Sequence, residues 1–322
     1  MEKKASFSRT IKIIGNIAMI VAIIFIIRRL LQYSINYKIL FEKKNLFLFF
    51  ALVIAYSISV IICSYPWKNA VYLITDSDIR FLEVAEVSVK ANVLKYIPGN
   101  IFQYIGRNDL AIKKGLKHTD VAVSTLLDIA INFGAVFVLT IACAFDTMKK
   151  CAVSFLKMQN VIIVLLIVIG LVIWVMVFLW KKKDNKYKNI FKRFFCRKGM
   201  RLLFTNSIIY ILVSLYTTGI YMIVLYVILG ETFKVEQLFY VGGAVLASWM
   251  IGFITPGAPG GMGVRETALI MMLGGIIEQQ VILLSAIVNR VVSIFGDILA
   301  FIVIKGIIKV HDVLLGEEKI NE

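Results

Sequence analysis

Long runs of apolar residues alternate along the chain with short polar and basic segments. An α-helix needs about 20 apolar residues to cross the hydrocarbon core of a bilayer, so each long run predicts a membrane-spanning helix. Six runs meet this length: Ile11–Leu31, Asn45–Tyr65, Thr119–Phe145, Gln159–Trp180, Leu202–Gly230 and Gln280–Ile308. The pattern predicts an all-α polytopic integral membrane protein, with residues 1–322 forming a single transmembrane domain.

Two other segments predict helical hairpins instead of spans. Tyr96–Arg107 and Ile254–Arg265 both read Pro-Gly, seven residues, then arginine. Each follows a helix-like run, Phe81–Lys95 in the first case and Val235–Phe253 in the second. The match indicates either an internal repeat or a chance coincidence, because a Pro-Gly pair and an arginine make a short motif.

The second hairpin is predicted to break in its middle. Pro256 and Pro259 end helices because proline lacks an N–H donor, and the neighbouring glycines allow backbone angles that other residues resist. Irregular backbone of this kind cannot face lipid, so it must be buried in protein or line a wet cavity. The arm that follows, Val264–Ile277, is short for a complete crossing. A re-entrant hairpin fits better than two crossings, although eight apolar helices remain the alternative.

Two re-entrant hairpins that enter from opposite faces would follow the inverted-repeat plan of many transporters, with a site near the membrane midplane. The first half would be 1–157, with its hairpin near 81–113, and the second 158–322, with its Gly-rich hairpin near 235–277. The helix that begins near Val264 would direct its free N–H groups into the cavity, an arrangement that suits an anion.

The composition excludes several other classes of protein. The chain is 60% hydrophobic and 17% charged, with a mean hydropathy of +0.85, whereas soluble domains are about 45–50% apolar and about 25% charged. So apolar a chain cannot stay disordered, and its four scattered cysteines do not form a disulfide framework. The net charge of +16 would still suit a nucleic-acid binder, so the positions of the charges matter.

The basic residues lie between the apolar runs. The densest block, Lys181–Arg201, predicts a cytoplasmic loop by the positive-inside rule; a solvated linker and a nucleic-acid patch are the alternatives. This orientation places the loop Lys95–His118 and both termini in the cytoplasm, and Glu231–Glu236 outside. Basic residues between Arg28 and Lys44 would then lie outside, which leaves the orientation of the first span open. That span lacks a signal-peptide cleavage site, so we expect a retained anchor.

Ionisable residues within the spans are candidates for function, because charge at membrane depth is costly. Asp128 lies in the span after the first hairpin, and Arg290 and Asp297 share one helical face in the span after the second. One interpretation is a buried ion pair that fixes the helix register. The other is that Arg290, with Arg107 and Arg265, binds a phosphate, which suits the planar guanidinium group.

The span Leu202–Gly230 also carries a polar stripe, which either packs helices together or lines a cavity. The stripe consists of Ser207, Tyr210, Ser214, Thr217 and Tyr221. The sequence has two histidines and contains no metal-spaced Cys/His set, Walker motif or dinucleotide fingerprint. We therefore predict no metal site and no cofactor, and an enzymatic activity is not indicated.

Thr255–Ile270 resembles the Pro-Gly-Gly-x-Gly-x-Arg-Glu signature of the lysylphosphatidylglycerol synthase/flippase transmembrane region. The Ile-Pro-Gly segment before Arg107, Leu-Leu-Asp128 and Asn-Arg290 follow in the expected order, so the resemblance covers nearly the whole chain. It implies movement of anionic or aminoacylated phospholipids between leaflets, or a role in polyprenyl-lipid glycosylation pathways. Full-length synthases add a cytoplasmic aminoacyl-transfer domain, which we expect to be absent because the chain ends at Glu322.

The expected function is translocation of a lipid with an anionic headgroup, a phospholipid or a polyprenyl phosphate, across the bacterial plasma membrane. The residues expected to bind the headgroup phosphate are Arg107, Arg265 and Arg290. Those expected to orient or neutralise the arginines are Glu266, Asp128 and Asp297. Gly257, Gly260, Gly261 and Gly263 are expected to allow close approach of the backbone.

The alternative functions are a membrane-embedded transferase of cell-envelope lipid or glycan synthesis, and a non-catalytic partner of such an enzyme. The expected partners are anionic lipids and not nucleic acid; a homo-oligomer and a complex with a cell-envelope synthase both remain open.

Overall fold

The structure is a computed structural model that describes residues 42–96, 102–156, 185–230, 232, 234–255 and 259–314. These residues form helices joined by short connections, and no strand occurs among them. The helices are α1 (Lys43–Ile62), α2 (Ser64–Thr75), α3 (Phe81–Val93), α4 (Phe102–Ile112), α5 (His118–Leu156), α6 (Asn185–Phe195), α7 (Arg197–Ile223), α8 (Val235–Ile254), α9 (Val264–Leu273) and α10 (Gln279–Leu314). The all-α fold class predicted from the apolar runs is confirmed.

Five segments of the described chain are long and apolar enough to cross a membrane. They are Lys43–Thr75, His118–Cys143, Arg197–Ile228, Gln237–Ile254 and Gln279–Leu314. Four of them coincide with predicted spans, while the predicted spans 11–31 and 159–180 lie outside the described residues. The fifth, Gln237–Ile254, was predicted as the leading arm of the second hairpin, with a complete crossing as the alternative, and its apolar length makes it a candidate crossing.

The first hairpin consists of α3, a 3-10 turn at Leu94–Tyr96, and α4. Its arms are 13 and 11 residues long, and Lys114, just after α4, forms an ion pair of 2.8 Å with Glu86 near the start of α3. The hairpin therefore begins and ends at the same end of the bundle. Its leading arm packs along the C-terminal part of α10, where Ala85 and Val89 join one apolar cluster with Ile304.

The second hairpin consists of α8, a 3-10 turn at Pro259–Gly261, and α9. Leu273 at the end of α9 clusters with Val241 near the start of α8 and with Ile282 near the start of α10. This hairpin therefore opens at the N-terminal end of α10, opposite the mouth of the first. The two 3-10 turns contact each other between these ends. The depth of either hairpin in a bilayer and an internal repeat remain predictions.

Lys114, Arg193 and Lys198, which belong to the two predicted basic loops, lie at the end of the bundle where the first hairpin opens. Near the C-terminus of α2, the carbonyl of Ile74 accepts a hydrogen bond of 3.3 Å from Arg193 of α6, and the Tyr72 hydroxyl accepts one of 2.6 Å from Lys198 of α7. The same part of α2 shares a cluster with Val121 at the start of α5. This proximity agrees with the predicted topology, in which the two loops share one side of the membrane.

Helix α1 begins at the other end of the bundle. Leu52 and Val53 pack with Val224 and Ile228, which form the π-helical turn at the end of α7. Lys43 and Lys44 therefore lie away from the two basic loops. This is the position that the predicted topology requires for Lys43 and Lys44, which the positive-inside rule alone did not explain.

Candidate functional site

A cavity of about 350 Å³ lies where the two hairpin turns meet the middle of α10. Its wall is built by side chains from both hairpins and from α1, α5, α7 and α10. Although the surrounding helices are apolar, the wall is rich in charged and amide groups. Charged groups inside a bundle of membrane helices usually pair with one another or mark a pathway for substrate.

Asp128 of α5 joins three elements at one side of the cavity. Its Oδ2 atom accepts a hydrogen bond of 3.0 Å from Arg107 of α4, and its Oδ1 atom accepts one from the Tyr210 hydroxyl of α7. Arg107 also lies 4.8 Å from the ring centre of Trp67, a distance typical of a cation–π contact. The guanidinium group of Arg107, predicted both as a loop charge and as a site residue, therefore lies in the cavity wall and is paired there.

Both carboxylate oxygens of Glu266, at the start of α9, accept hydrogen bonds from the protein. Its Oε2 atom accepts a hydrogen bond of 2.7 Å from the N–H of Gly263, which caps the helix. Its Oε1 atom accepts one of 2.6 Å from Nε of Arg290 on α10. Gly263 has a φ of 82°, a conformation that favours glycine. Only 1% of Glu266 is exposed, so its charge interacts with Arg290 and with the N-terminus of α9 and not with solvent.

Asp297 of α10 binds the turn of the first hairpin. Its carboxylate accepts hydrogen bonds from Asn92 at 2.7 Å and from the Tyr96 hydroxyl, and it forms an ion pair of 2.7 Å with Lys95. Asp297 is completely buried. The expected ion pair within the α10 face is therefore not the arrangement found: Asp297 pairs with the first hairpin, and Arg290 pairs with the second.

Lys95 is the charged site residue that sequence reasoning assigned elsewhere. It was predicted as a cytoplasmic loop charge, yet it lies in the 3-10 turn of the first hairpin and its side chain is 20% exposed. Lys95 lies in the cavity because the hairpin carries it away from the basic end of the bundle and toward Asp297. The available signal was its position three residues before Pro98, at the predicted break of the helix.

Arg265 differs from the other cations of the cavity because it forms no ion pair with a carboxylate of the described residues. Its Nε atom is buried without a hydrogen-bond partner in the described part of the chain, and the same is true of Nη2 of Arg290. Gly261 makes room for Arg265, because a Cβ atom on Gly261 would lie 2.7 Å from its Nε atom. A Cβ atom on Gly260 would make only ordinary contact with Arg290, at 3.7 Å from Nη1.

The charges of the cavity do not cancel. Four cations and three carboxylates gather there among the described residues: Lys95, Arg107, Arg265, Arg290, Asp128, Glu266 and Asp297. Three ion pairs use every carboxylate, so one positive charge is left over, and Arg265 carries it. Of the glycines predicted to allow close approach, Gly260, Gly261 and Gly263 surround this charged region, while Gly257 lies outside the described residues.

The polar stripe of α7 mostly faces the cavity. Tyr210, Ser214, Thr217 and Tyr221 line it, whereas the Ser207 hydroxyl donates a hydrogen bond to the Leu203 carbonyl within its own helix. Sequence reasoning missed a further set of uncharged lining residues. This set includes Tyr56, Asn92, Gln103, Tyr104, Asn132, Ser248, Trp249 and Asn289. One of them could have been found from spacing, since Asn132 lies one helical turn after Asp128 and so on the same face of the helix.

The helices and the central cavity define a multi-pass α-helical membrane protein with a charged site between two hairpins. The chain belongs to the lysylphosphatidylglycerol synthase TM region family, whose pattern matches residues 47–300. The match contains every predicted site residue and confirms the family that the Gly-rich motif indicated. No curated protein matches the chain.

Proposed function

We propose that the protein translocates a lipid with an anionic phosphate headgroup across the bacterial plasma membrane. The observation that carries the proposal is the unpaired charge of Arg265, held at the cavity wall beside a second guanidinium group with a free nitrogen atom. A buried polar group without a partner costs free energy, so the site is suited to a ligand that supplies acceptors. A phosphate supplies several, and guanidinium groups bind it with matched geometry.

The size of the cavity suits a headgroup and not a whole lipid. Ligand pockets for small molecules measure about 300–1,000 Å³, and this cavity of about 350 Å³ is near the lower limit. In the proposed mechanism the headgroup enters the cavity while the acyl chains stay in the bilayer. The large apolar side chains exposed on the outer faces of α1, α7 and α10 are compatible with contact to these chains.

Both hairpins are proposed to be re-entrant, with their turns forming the central barrier. The first hairpin is attached to α10 through Asp297 and the second through Arg290. Withdrawal of one turn would open the cavity toward one side of the membrane, while the other turn would keep it closed toward the opposite side. This is alternating access around a fixed site, as in transporters built from two opposed halves.

The test is a leaflet-specific translocation assay. Purified protein is reconstituted into vesicles that contain phosphatidylglycerol with a fluorescent acyl chain, and dithionite quenching reports the fraction that reaches the outer leaflet. Wild type should translocate the lipid, and Arg265→Ala should lower the rate by about tenfold or more, the effect of losing about 1.4 kcal/mol of headgroup binding.

The matched control is Arg201→Ala, which removes an exposed arginine at the start of α7, outside the cavity. It should translocate at the wild-type rate. Equal rates for wild type and Arg265→Ala, with both proteins folded by size-exclusion chromatography, would overturn the proposed role of Arg265. Transfer of a group onto a lipid-linked substrate without translocation would favour the transferase, and a stoichiometric co-purifying synthase without translocation would favour the partner role.

A further inference from the structure

Each carboxylate at the cavity is already paired with a cation of the protein. Asp128, Glu266 and Asp297 each accept hydrogen bonds at both of their oxygen atoms from other groups of the protein. Each is also neutralised by a cation at 2.6–3.0 Å. A ligand ammonium group would therefore find no carboxylate without a counter-charge, and it would meet the surplus charge of Arg265 as well.

The aromatic faces near the turn of the first hairpin are also occupied. Nζ of Lys95 lies 5.2 Å from the ring centre of Tyr96 and 5.9 Å from that of Tyr56. These are the positions that a ligand ammonium would need for a cation–π contact. Trp249 stacks on Phe253 with ring centres 5.2 Å apart, so one of its two faces is covered as well.

Neutral hydrogen-bonding groups fill the wall beside the charged pairs. Asn132 lies one turn from Asp128 on α5, Asn289 lies next to Arg290 on α10, and both line the cavity. An amide side chain both donates and accepts hydrogen bonds, and a hydroxyl group on a ligand does the same. Ser248 and Trp249 extend this uncharged wall along α8. The wall therefore complements the paired donors and acceptors of hydroxyl groups, whereas it offers an ammonium group neutral acceptors but no unpaired carboxylate.

We infer that the group attached to the phosphate of the substrate is uncharged and rich in hydroxyl groups, such as a glycerol or a sugar, and that aminoacyl and other amine headgroups are excluded. This inference rests on the proposed function, because it names the headgroup class for the same cavity. It separates two kinds of lipid that share a phosphate and differ in the charge next to it. The name of the family refers to a lysylated lipid, which is one of these two kinds.

The inference is tested by competition between lipids with identical acyl chains. The full chain in phosphatidylcholine nanodiscs is loaded with fluorescent phosphatidylglycerol, which is then displaced by phosphatidylglycerol, phosphatidylinositol, phosphatidylethanolamine or lysyl-phosphatidylglycerol. The first two should compete at least about tenfold more strongly than the two amine lipids, because unpaired and like-charged groups disfavour the wrong ligand. Equal competition by lysyl-phosphatidylglycerol and phosphatidylglycerol would overturn the inference.

A charge variant tests the cause of the selectivity. Asn132→Asp places a carboxylate next to the site and should reduce the preference for phosphatidylglycerol over lysyl-phosphatidylglycerol by about tenfold. Asn132→Ala should weaken the binding of phosphatidylglycerol without improving the binding of the lysylated lipid.

The selectivity of the wild-type protein decides the inference even if a variant does not fold. Binding of both lipids that is equally lost in Arg265→Ala would overturn the inference and leave the proposed function intact. If no phosphate lipid binds in a manner that depends on Arg265, both the inference and the proposed function are overturned.

Discussion

Individual carboxylates of the cavity connect elements that are distant in sequence. Asp297 holds the turn of the first hairpin against α10 through Lys95, and Glu266 holds α9 against α10 through Arg290. A buried charge that loses its partner is costly, because it has neither water nor a counter-ion. The ion pairs therefore act as attachments between hairpins and core, and each can be tested one residue at a time.

Asp297→Asn is expected to destabilise the protein by about 3 kcal/mol, the scale of breaking a buried ion pair by removing one partner. Lys95→Met should destabilise it to a similar degree. The double variant should cost less than the sum, because neither charge is then left unpaired. Unfolding in detergent measures the three changes.

Glu86→Gln is the control, since Glu86 and Lys114 are each about one third exposed and such a pair contributes about 1 kcal/mol at most. If the Lys95 and Asp297 variants were strictly additive, the ion pair would not be the coupling between hairpin and core.

The predictable part of the site consists of charges that interrupt apolar runs. Asp128, Arg290 and Asp297 were found in this way, because charge within a span is unusual. Lys95 was not found, since it borders a loop in sequence and becomes a cavity residue only when the hairpin turns back toward α10. The pairing of Arg290 with Glu266 is likewise a consequence of tertiary packing, which no local pattern specifies.

Among the elements, the Gly-rich turn approaches the backbone of α8 closely. A Cβ atom on Gly261 would lie 2.9 Å from Cα of Gly252, which belongs to α8. Gly261 also has a φ of 73°, a region where side chains are strained. The two glycines allow the turn to fold back onto α8, and this places Arg265 against the cavity.

Gly261→Ala should therefore destabilise the protein by about 2 kcal/mol or more, from backbone strain together with the clash against α8. Displacement of Arg265 should also weaken competition by phosphatidylglycerol in the nanodisc assay. Gly275→Ala is the matched control in the same hairpin, because a Cβ atom there meets nothing within 4 Å. Unfolding midpoints that are the same for both variants would contradict the close approach.

Apolar runs were sufficient to predict the long helices, because length and hydropathy decide whether a helix can cross a bilayer. Proline and glycine likewise marked where each hairpin turns. The packing partners of the short arms could not be predicted, since α3 and α9 meet α10 at its opposite ends through side chains far away in sequence. The sequence pattern left open whether Gln237–Ile254 is a complete crossing or one arm of a re-entrant hairpin, and its apolar length permits a crossing.

For the whole molecule, the two ends of the bundle differ in charge and in which hairpin they open to. The basic loops and the mouth of the first hairpin share one end, and the mouth of the second hairpin lies at the other end. With the positive-inside rule, the first hairpin is expected to open to the cytoplasm and the second to the outside. A cavity between two hairpins of opposite entry has the geometry that alternating access requires.

Cysteine accessibility in intact cells tests this arrangement. In a variant with the four native cysteines replaced by serine, Gly275→Cys marks the mouth of the second hairpin and Lys113→Cys marks that of the first; both positions are exposed. A membrane-impermeant maleimide should label residue 275 from outside and residue 113 only after permeabilisation. Arg201→Cys, in the other basic loop, should behave like residue 113. Labelling of 113 and 275 from the same side would refute opposed hairpins, whereas a full reversal would keep the hairpins opposed and invert the molecule in the membrane.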